Sequence, residues 1–248
     1  MSPKPYLKEI SLKREKLPAE SVYPFSIPAI RQLSTIRFHA HVTFFIGDNG
    51  SGKSTLLEAL ALALGFNPEG GTKNFNFSTR ASHSELFRYL KLVRSFRRPR
   101  DGFFFRAESY FNVATEIERL DQEMLGSPII GAYGGRQLHE QSHGESFVAL
   151  LENRFFGRGL YILDEPEAAL SPMKQLAVLR RIHELVQLES QFIIATHSPI
   201  LLSYPNATIQ SLSANGFTET RYHDTEQYRV TKNFLLDPGA TVNEMVLP

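Results

Sequence analysis

The stretch Gly47-Asp48-Asn49-Gly50-Ser51-Gly52-Lys53-Ser54-Thr55 constrains this chain more than any other. Gly47, Gly52, Lys53 and Ser54 fill the fixed positions of G-x-x-x-x-G-K-[ST], a phosphate-binding loop that requires a strand before it and a helix after it. Both flanks comply. Val42-Thr43-Phe44-Phe45-Ile46 reads as a buried strand, and Leu56 to Leu64 is a helix-forming run that stops at Gly65. The bland alternative is a Gly-rich structural turn. Glycines at 47, 50 and 52 let the backbone curl and turn its N–H groups inward, and the new helix adds its positive end. Lys53 would reach the β and γ phosphates, and the Ser54 hydroxyl is placed to ligate Mg²⁺. The expected nucleotide-binding positions are therefore Gly47, Asn49, Gly50, Ser51, Gly52, Lys53, Ser54 and Thr55, although the side chains of Asp48 and Asn49 fill variable places.

At 248 residues the chain can bury a substantial core as a single domain, spanning 1–248, without disulfides or metals. Its formal net charge of +1 argues against both a general nucleic-acid coat and an acidic solvating tail. With no cysteine there is no disulfide framework, no cysteine zinc site and no thiol catalysis, and the composition fits a reducing compartment. Met1 to Lys16 is charged and lacks the apolar core of a signal peptide, and no apolar run approaches membrane-spanning length. The expectation is a soluble, cytoplasmic protein without direct membrane insertion.

Ahead of the loop, Tyr6 to Leu12 alternates like an edge strand, a Pro-punctuated segment follows, and Thr35 to Phe38 reads as another short strand. Tyr23 and Phe25 are candidates to stack on a purine, against the plain alternative that they are core or surface aromatics. Asn67 to Ser84 reads as an exposed connection. Ser84 to Arg100 carries Arg88, Lys91, Arg94, Arg97, Arg98 and Arg100, with Leu86, Tyr89, Leu90 and Val93 at helical spacing. That spacing predicts an amphipathic helix whose basic face is solvated, or meets nucleic acid or an acidic partner. Gly102 to Glu108 reads as a buried strand, Ser109 to Leu125 as a helix, and Pro128 to Gly135 as a Gly-rich flexible stretch.

In Gln141-Ser142-His143-Gly144-Glu145-Ser146-Phe147, Ser142 and Glu145 form a capping box ahead of an apolar run. Then Leu160-Tyr161-Ile162-Leu163 leads into Asp164-Glu165-Pro166, an apolar strand ending in adjacent carboxylates. Asp164 would hold the Mg²⁺ and Glu165 would polarise an attacking water. Ser171 caps a helix with Pro172 at its first turn, and Leu176, Leu179, Ile182 and Val186 are expected to face the core. Phe192 to Ala195 is a second buried strand, followed by Thr196-His197-Ser198-Pro199. One helix and a return crossing fit between the two strands, which brings His197 beside Glu165 at the strand ends. A strand over Ala207 to Leu212, a turn at Asn215-Gly216, a strand over Phe217 to Tyr222 and a helix over Asp224 to Leu236, ended by Asp237-Pro238-Gly239, complete the pattern.

With these sites in hand, the sequence resembles the ATP-binding-cassette class of P-loop ATPases. Within it, the stretches GFFFRAESYFNVA, QSHGESF and EQYRVTKNFLLDP resemble small stand-alone ATPases labelled AAA-family, closer to chromosome- and repair-type heads than to transporter subunits. The resemblance implies an α/β fold: a mostly parallel sheet flanked by helices, antiparallel N-terminal strands, and a small helical subdomain over about 84–145. It implies ATP and Mg²⁺ as cofactors and catalysis by Glu165, His197 and Lys53. It also implies a head-to-tail homodimer in which Ser142, Gly144 and Glu145 of one chain meet the nucleotide held by the other. The usual LSGGQ signature is QSHGE here. No Q-loop glutamine is evident, and Glu108 occupies the plausible place as a metal-side ligand. The implied activity is ATP hydrolysis with ATP-driven dimerisation as a switch. Two alternatives stand beside it: a regulatory ATP-binding subunit acting on a protein or nucleic-acid partner with little turnover, and the nucleotide-binding subunit of a transporter.

Overall fold

The computed structural model describes residues 5–73, 84–109, 115, 119 and 143–246. Its centre is a six-stranded sheet of order β5-β6-β7-β3-β8-β9. The strands are β3 (Val42–Gly47), β5 (Asp101–Arg106), β6 (Gly159–Asp164), β7 (Gln191–Ala195), β8 (Thr208–Ser213) and β9 (Gly216–Thr220). All neighbours are parallel except β8 and β9, which form an antiparallel hairpin. A second sheet, antiparallel and three-stranded, has the order β2-β1-β4, with β1 (Leu7–Leu12), β2 (Thr35–Arg37) and β4 (Leu90–Arg94).

Strands buried on both faces read as continuous apolar runs, and the two-residue period divides them between two cores. Phe44, Phe103, Phe105, Tyr161, Leu163, Phe192 and Ile194 point to one side. There they pack under three helices: α4 (His143–Asn153), α5 (Pro172–Gln187) and α6 (Pro199–Leu202). Earlier in the chain come α1 (Pro28–Arg31), α2 (Lys53–Leu64) and α3 (Leu86–Tyr89). Phe45, Phe104, Leu160, Ile162, Ile193 and Ala195 point the other way, toward α2 and the antiparallel sheet. The two sheets are tied by one buried amide. Gln191 accepts from the N–H groups of Tyr6 (2.9 Å) and Leu7 (3.0 Å) and donates to the carbonyls of Leu7 (2.9 Å) and His39 (3.0 Å). Its four hydrogen-bonding positions are thus satisfied, as a buried polar group requires.

Several elements depart from the sequence reading. The helix expected over Ser84 to Arg100 is only α3, after which the chain extends as β4. Leu86 and Leu90 are buried four residues apart, as a helix would place them, but β1 offers unpaired backbone to Leu90–Arg94, and ladder pairing outweighs helical spacing. For the same reason β1 is central, paired on both sides, and not an edge strand. In α5 the core face is Val178, Ile182, Leu185 and Val186, while Leu176 is 49% exposed. The connection after α2 starts buried at Asn67, and Gly71 bridges to Phe104. Beyond α7 (Glu226–Leu236) the Asp-Pro-Gly stop leads directly into α8 (Pro238–Val246). The helix expected over Ser109 to Leu125 and the flexible stretch Pro128 to Gly135 lie almost wholly outside the described residues.

Candidate functional site

β3 ends between β7 and β8, so the phosphate-type loop leaves the sheet at its centre, at the C-terminal strand ends where open α/β sheets bind ligands. Gly47 has φ +149°, and a Cβ there would stand 2.6 Å from the Leu212 carbonyl oxygen. Gly52, at φ +99°, caps α2, and a Cβ there would press on Ile27 and Ile30 at 3.1 Å. Only glycine accepts both the backbone geometry and the crowding at these positions. Lys53 is buried at the first position of α2, and its Nζ donates to the carbonyls of Gly47 (2.7 Å) and Asp48 (3.0 Å). Burial lowers its pKa, against the opposing pull of Glu165, Asp164 and Asp48. The Ser51 hydroxyl is buried and has no hydrogen-bond partner among the described residues, a spare donor facing the same loop.

The two candidate aromatics separate. Phe25 is 2% exposed and packs edge-on against Tyr89, with ring centroids 5.2 Å apart, so it is a core residue. Tyr23 is 60% exposed, and its hydroxyl lies 3.1 Å from Thr55 Oγ1, at the mouth of the loop.

Asp164 ends β6, in register with Arg106 on β5 and Ala195 on β7. Ser54 Oγ donates to Asp164 Oδ1 at 3.1 Å, so the loop serine and the strand-end carboxylate, distant in sequence, share one corner. Burial pushes the Asp164 carboxyl up to about 7, resisted by Arg106 and by the Ser54 hydrogen bond. Arg106 carries no sequence motif, yet it organises this corner. Its guanidinium reaches Glu58 of α2 (2.8 Å) and Glu108 (3.2 Å), and its Nε lies 3.8 Å from Asp164 Oδ2. Glu108, the expected metal-side ligand, stands in a 3₁₀ turn with its side chain 81% exposed. Arg106 holds it there, and no hydrogen bond joins it to Ser54 or Asp164. A hydroxyl and a carboxylate in contact suit Mg²⁺, which takes hard oxygen donors, few of them from protein. Among the described residues no cluster of three or more His, Asp or Glu forms a self-sufficient metal cage.

Glu165 adopts φ +51°, rare for a residue with a side chain, which turns its carboxylate out of the strand direction. Its N–H donates to the Ala195 carbonyl (3.0 Å), and its carbonyl accepts from Ala168 N–H (3.1 Å). The carboxylate lies 3.8 Å from His197 Nε2, so the crossing does bring these two together. Behind them Glu167, which the sequence reading passed over, accepts the His197 N–H at 2.6 Å. Burial raises the Glu167 carboxyl, and hydrogen bonds from His197 N–H, its own N–H and the Thr196 hydroxyl pull it back.

Ser142, the expected cap on α4, lies outside the described residues. Gly144, in the first turn of α4, is buried against the turn after Glu165. A Cβ there would meet the Ala169 carbonyl oxygen at 2.3 Å, so only glycine permits this approach. Glu145 is exposed, with its carboxylate 3.8 Å from Lys174 Nζ.

A phosphate-type loop on β3, a carboxylate pair on β6 and a histidine after the intervening β7, with an antiparallel sheet alongside, are similar in fold and motif order to the ABC-class P-loop ATPases. Residues 25–120 match the AAA domain family. A Caldanaerobacter subterraneus protein carrying the name of an ABC transporter ATP-binding protein is 28% identical over 194 residues, 72% of this chain and 79% of its own length. A metal-chelate-type ABC transporter in an inward-facing conformation aligns over 90% of this chain and 88% of its own, at 17% identity and a TM-score of 0.50. An SMC head domain from Thermotoga maritima aligns over 87% of this chain and 98% of its own, at 17% identity and a TM-score of 0.46. At 17% identity the likeness to the transporter structure speaks for the fold alone. No described helix is long and apolar enough to cross a membrane.

Proposed function

We propose that this protein binds ATP with Mg²⁺ and hydrolyses it by in-line attack of water, and that ATP drives two chains together head to tail. The observation that carries the reading is the single corner formed by Ser54, Asp164, Glu165 and His197, joined by contacts of 3.1 and 3.8 Å. The loop N–H groups and the α2 N-terminus hold the phosphates, with Lys53 exchanging its carbonyl partners for the β and γ phosphates. Mg²⁺, held by Ser54 and Asp164, supplies charge neutralisation on those phosphates. Glu165 orients and polarises the attacking water, and His197 faces the γ-phosphate from the neighbouring strand end. Tyr23 offers its exposed ring to the adenine.

The dimer follows from the resemblance, which sets the start of α4 against the nucleotide of a second chain; within its own chain Gly144 packs against the Ala169 carbonyl in the turn after Glu165. Replacing Glu165 by Gln should slow turnover and trap an ATP-bound dimer; a monomer with ATP in native mass measurement removes the switch. Lys53→Ala should abolish phosphate release. Release that persists in that variant removes the hydrolysis reading and leaves the regulatory subunit. The transporter reading is favoured by the name of the Caldanaerobacter relative, and co-purification with a membrane protein tests it. A nucleic-acid partner would find exposed Lys91, Arg94, Arg98 and Arg100 along and beyond β4, and stimulation of phosphate release by DNA or RNA tests that contact.

A further inference from the structure

Among the described residues no group hydrogen-bonds the His197 ring: Nε2 is buried without a partner, and Glu165 stands 3.8 Å away. A histidine that works on a substrate needs a fixed direction, usually given by a hydrogen bond to its second nitrogen. Here the restraint falls on the peptide carrying the ring. Glu167 Oε1 accepts the His197 N–H at 2.6 Å. One residue on, Ser198 Oγ donates to Gln175 Oε1 at 2.6 Å, and the Gln175 amide donates to the Leu170 carbonyl at 3.0 Å. Ser198 also caps α6 through the N–H groups of Ile200 and Leu201, so this strut continues into a helix end. On the other side, Leu170 N–H closes onto the Glu167 carbonyl (2.9 Å) and Ala168 N–H onto that of Glu165 (3.1 Å). Residues 165–170 therefore form a closed turn, fastened at two points to residues 197–198. A left-handed Glu165 persists only where its surroundings over-determine it, and this double fastening does so.

We propose that Glu167 and Gln175 are positioning residues that join the Glu165 turn and the His197 loop into one unit, so that carboxylate and imidazole keep a common geometry and move together. The proposal deepens the hydrolytic reading and rests on it for its kinetic consequence, but the mechanical part stands separately. Glu167→Gln keeps an oxygen to accept the His197 N–H, and Oε2 makes no hydrogen bond among the described residues, so the amide nitrogen displaces none. Glu167→Ala removes the strut.

The experiment pairs steady-state phosphate release with amide hydrogen exchange on the full-length chain. Glu167→Ala is expected to lower kcat on the order of 10²-fold, as loss of positioning does, with KM for ATP nearly unchanged because the phosphate loop is untouched. Exchange at the His197 amide should accelerate by at least about tenfold, the loss of one local opening barrier of about 1.4 kcal/mol. Glu167→Gln should restore both, and Gln175→Ala should speed exchange at Ser198 and its neighbours. Equal impairment of the Gln and Ala variants overturns the proposal, because charge and not the strut would then matter. An unchanged His197 amide in Glu167→Ala also overturns it. If the wild-type chain releases no phosphate, the hydrolytic reading fails while the exchange result still decides the clamp.

Discussion

Asp164 is a buried carboxylate whose ionised form the fold tolerates poorly, so replacing it by Asn should stabilise the protein while disabling its site. Its carboxyl is raised from 3.8 to about 7 with burial as the main cause, and the residue is 4% exposed. A shift of about three units corresponds to about 4 kcal/mol against the ionised native state. Local relaxation and water entry leave about half of that, or about 2 kcal/mol. Because the folded-state pKa is above the unfolded one, the native state binds the extra proton between about pH 4 and 7. Wild-type stability from this group is thus present at low pH and falls as pH rises through that window. Asn keeps the shape and an oxygen for the Ser54 hydroxyl and does not titrate. Asp164→Asn should therefore match the wild type near pH 4 and exceed it at pH 8 by about 2 kcal/mol, or about 4 to 8 °C in Tm for a chain of this size. The assay is thermal unfolding in chelator from pH 4 to 8, repeated with ATP and Mg²⁺. Under the second condition the order should reverse, because ligand stabilises only the chain that binds it. A variant less stable than wild type at pH 8, or a difference that does not vary with pH, refutes the argument.

Tyr23→Ala should raise KM for ATP by about tenfold, the worth of one aromatic face at about 1.4 kcal/mol, with kcat unchanged. Tyr23→Phe should behave as wild type, since the hydroxyl contact to Thr55 is exposed; steady-state kinetics of both variants decide it. Gln191→Ala strands four buried backbone groups where the two sheets join and should cost about 3 kcal/mol or more, read by denaturant unfolding. A loss below about 1 kcal/mol would mean that water replaces the amide.

The sites legible from sequence are those whose chemistry is written in adjacent residues. Gly47 to Thr55 encodes its own backbone path, and the apolar runs of β3, β6 and β7 encode burial on both faces. The carboxylate pair at 164–165 and His197 then follow from where such strands must end. Arg106 could not be singled out, because its importance is a cross-strand register, Arg106 beside Asp164, with Glu58 reaching over from α2. A faint signal was present, a lone arginine closing the apolar run Phe103-Phe104-Phe105. Glu167 and Gln175 were invisible for the same reason: their partners, His197 and Ser198, lie a helix and a strand away. The choice between Tyr23 and Phe25 turned on which ring the core absorbed.

What the sequence by itself determined is the phosphate-type loop, the parallel core sheet and the order of the motifs, because each rests on local backbone geometry or on an apolar period. Tertiary structure alone decided that residues 90–94 are a strand, since their ladder partner is β1, more than seventy residues earlier by the pairing of Leu90 with Leu12. It also decided that Glu108 faces solvent under the hold of Arg106, that Glu165 turns left-handed, and that His197 is steered through its peptide. Hydrogen bonds between distant segments have no period or spacing along the chain, and so they become visible only once the chain has folded.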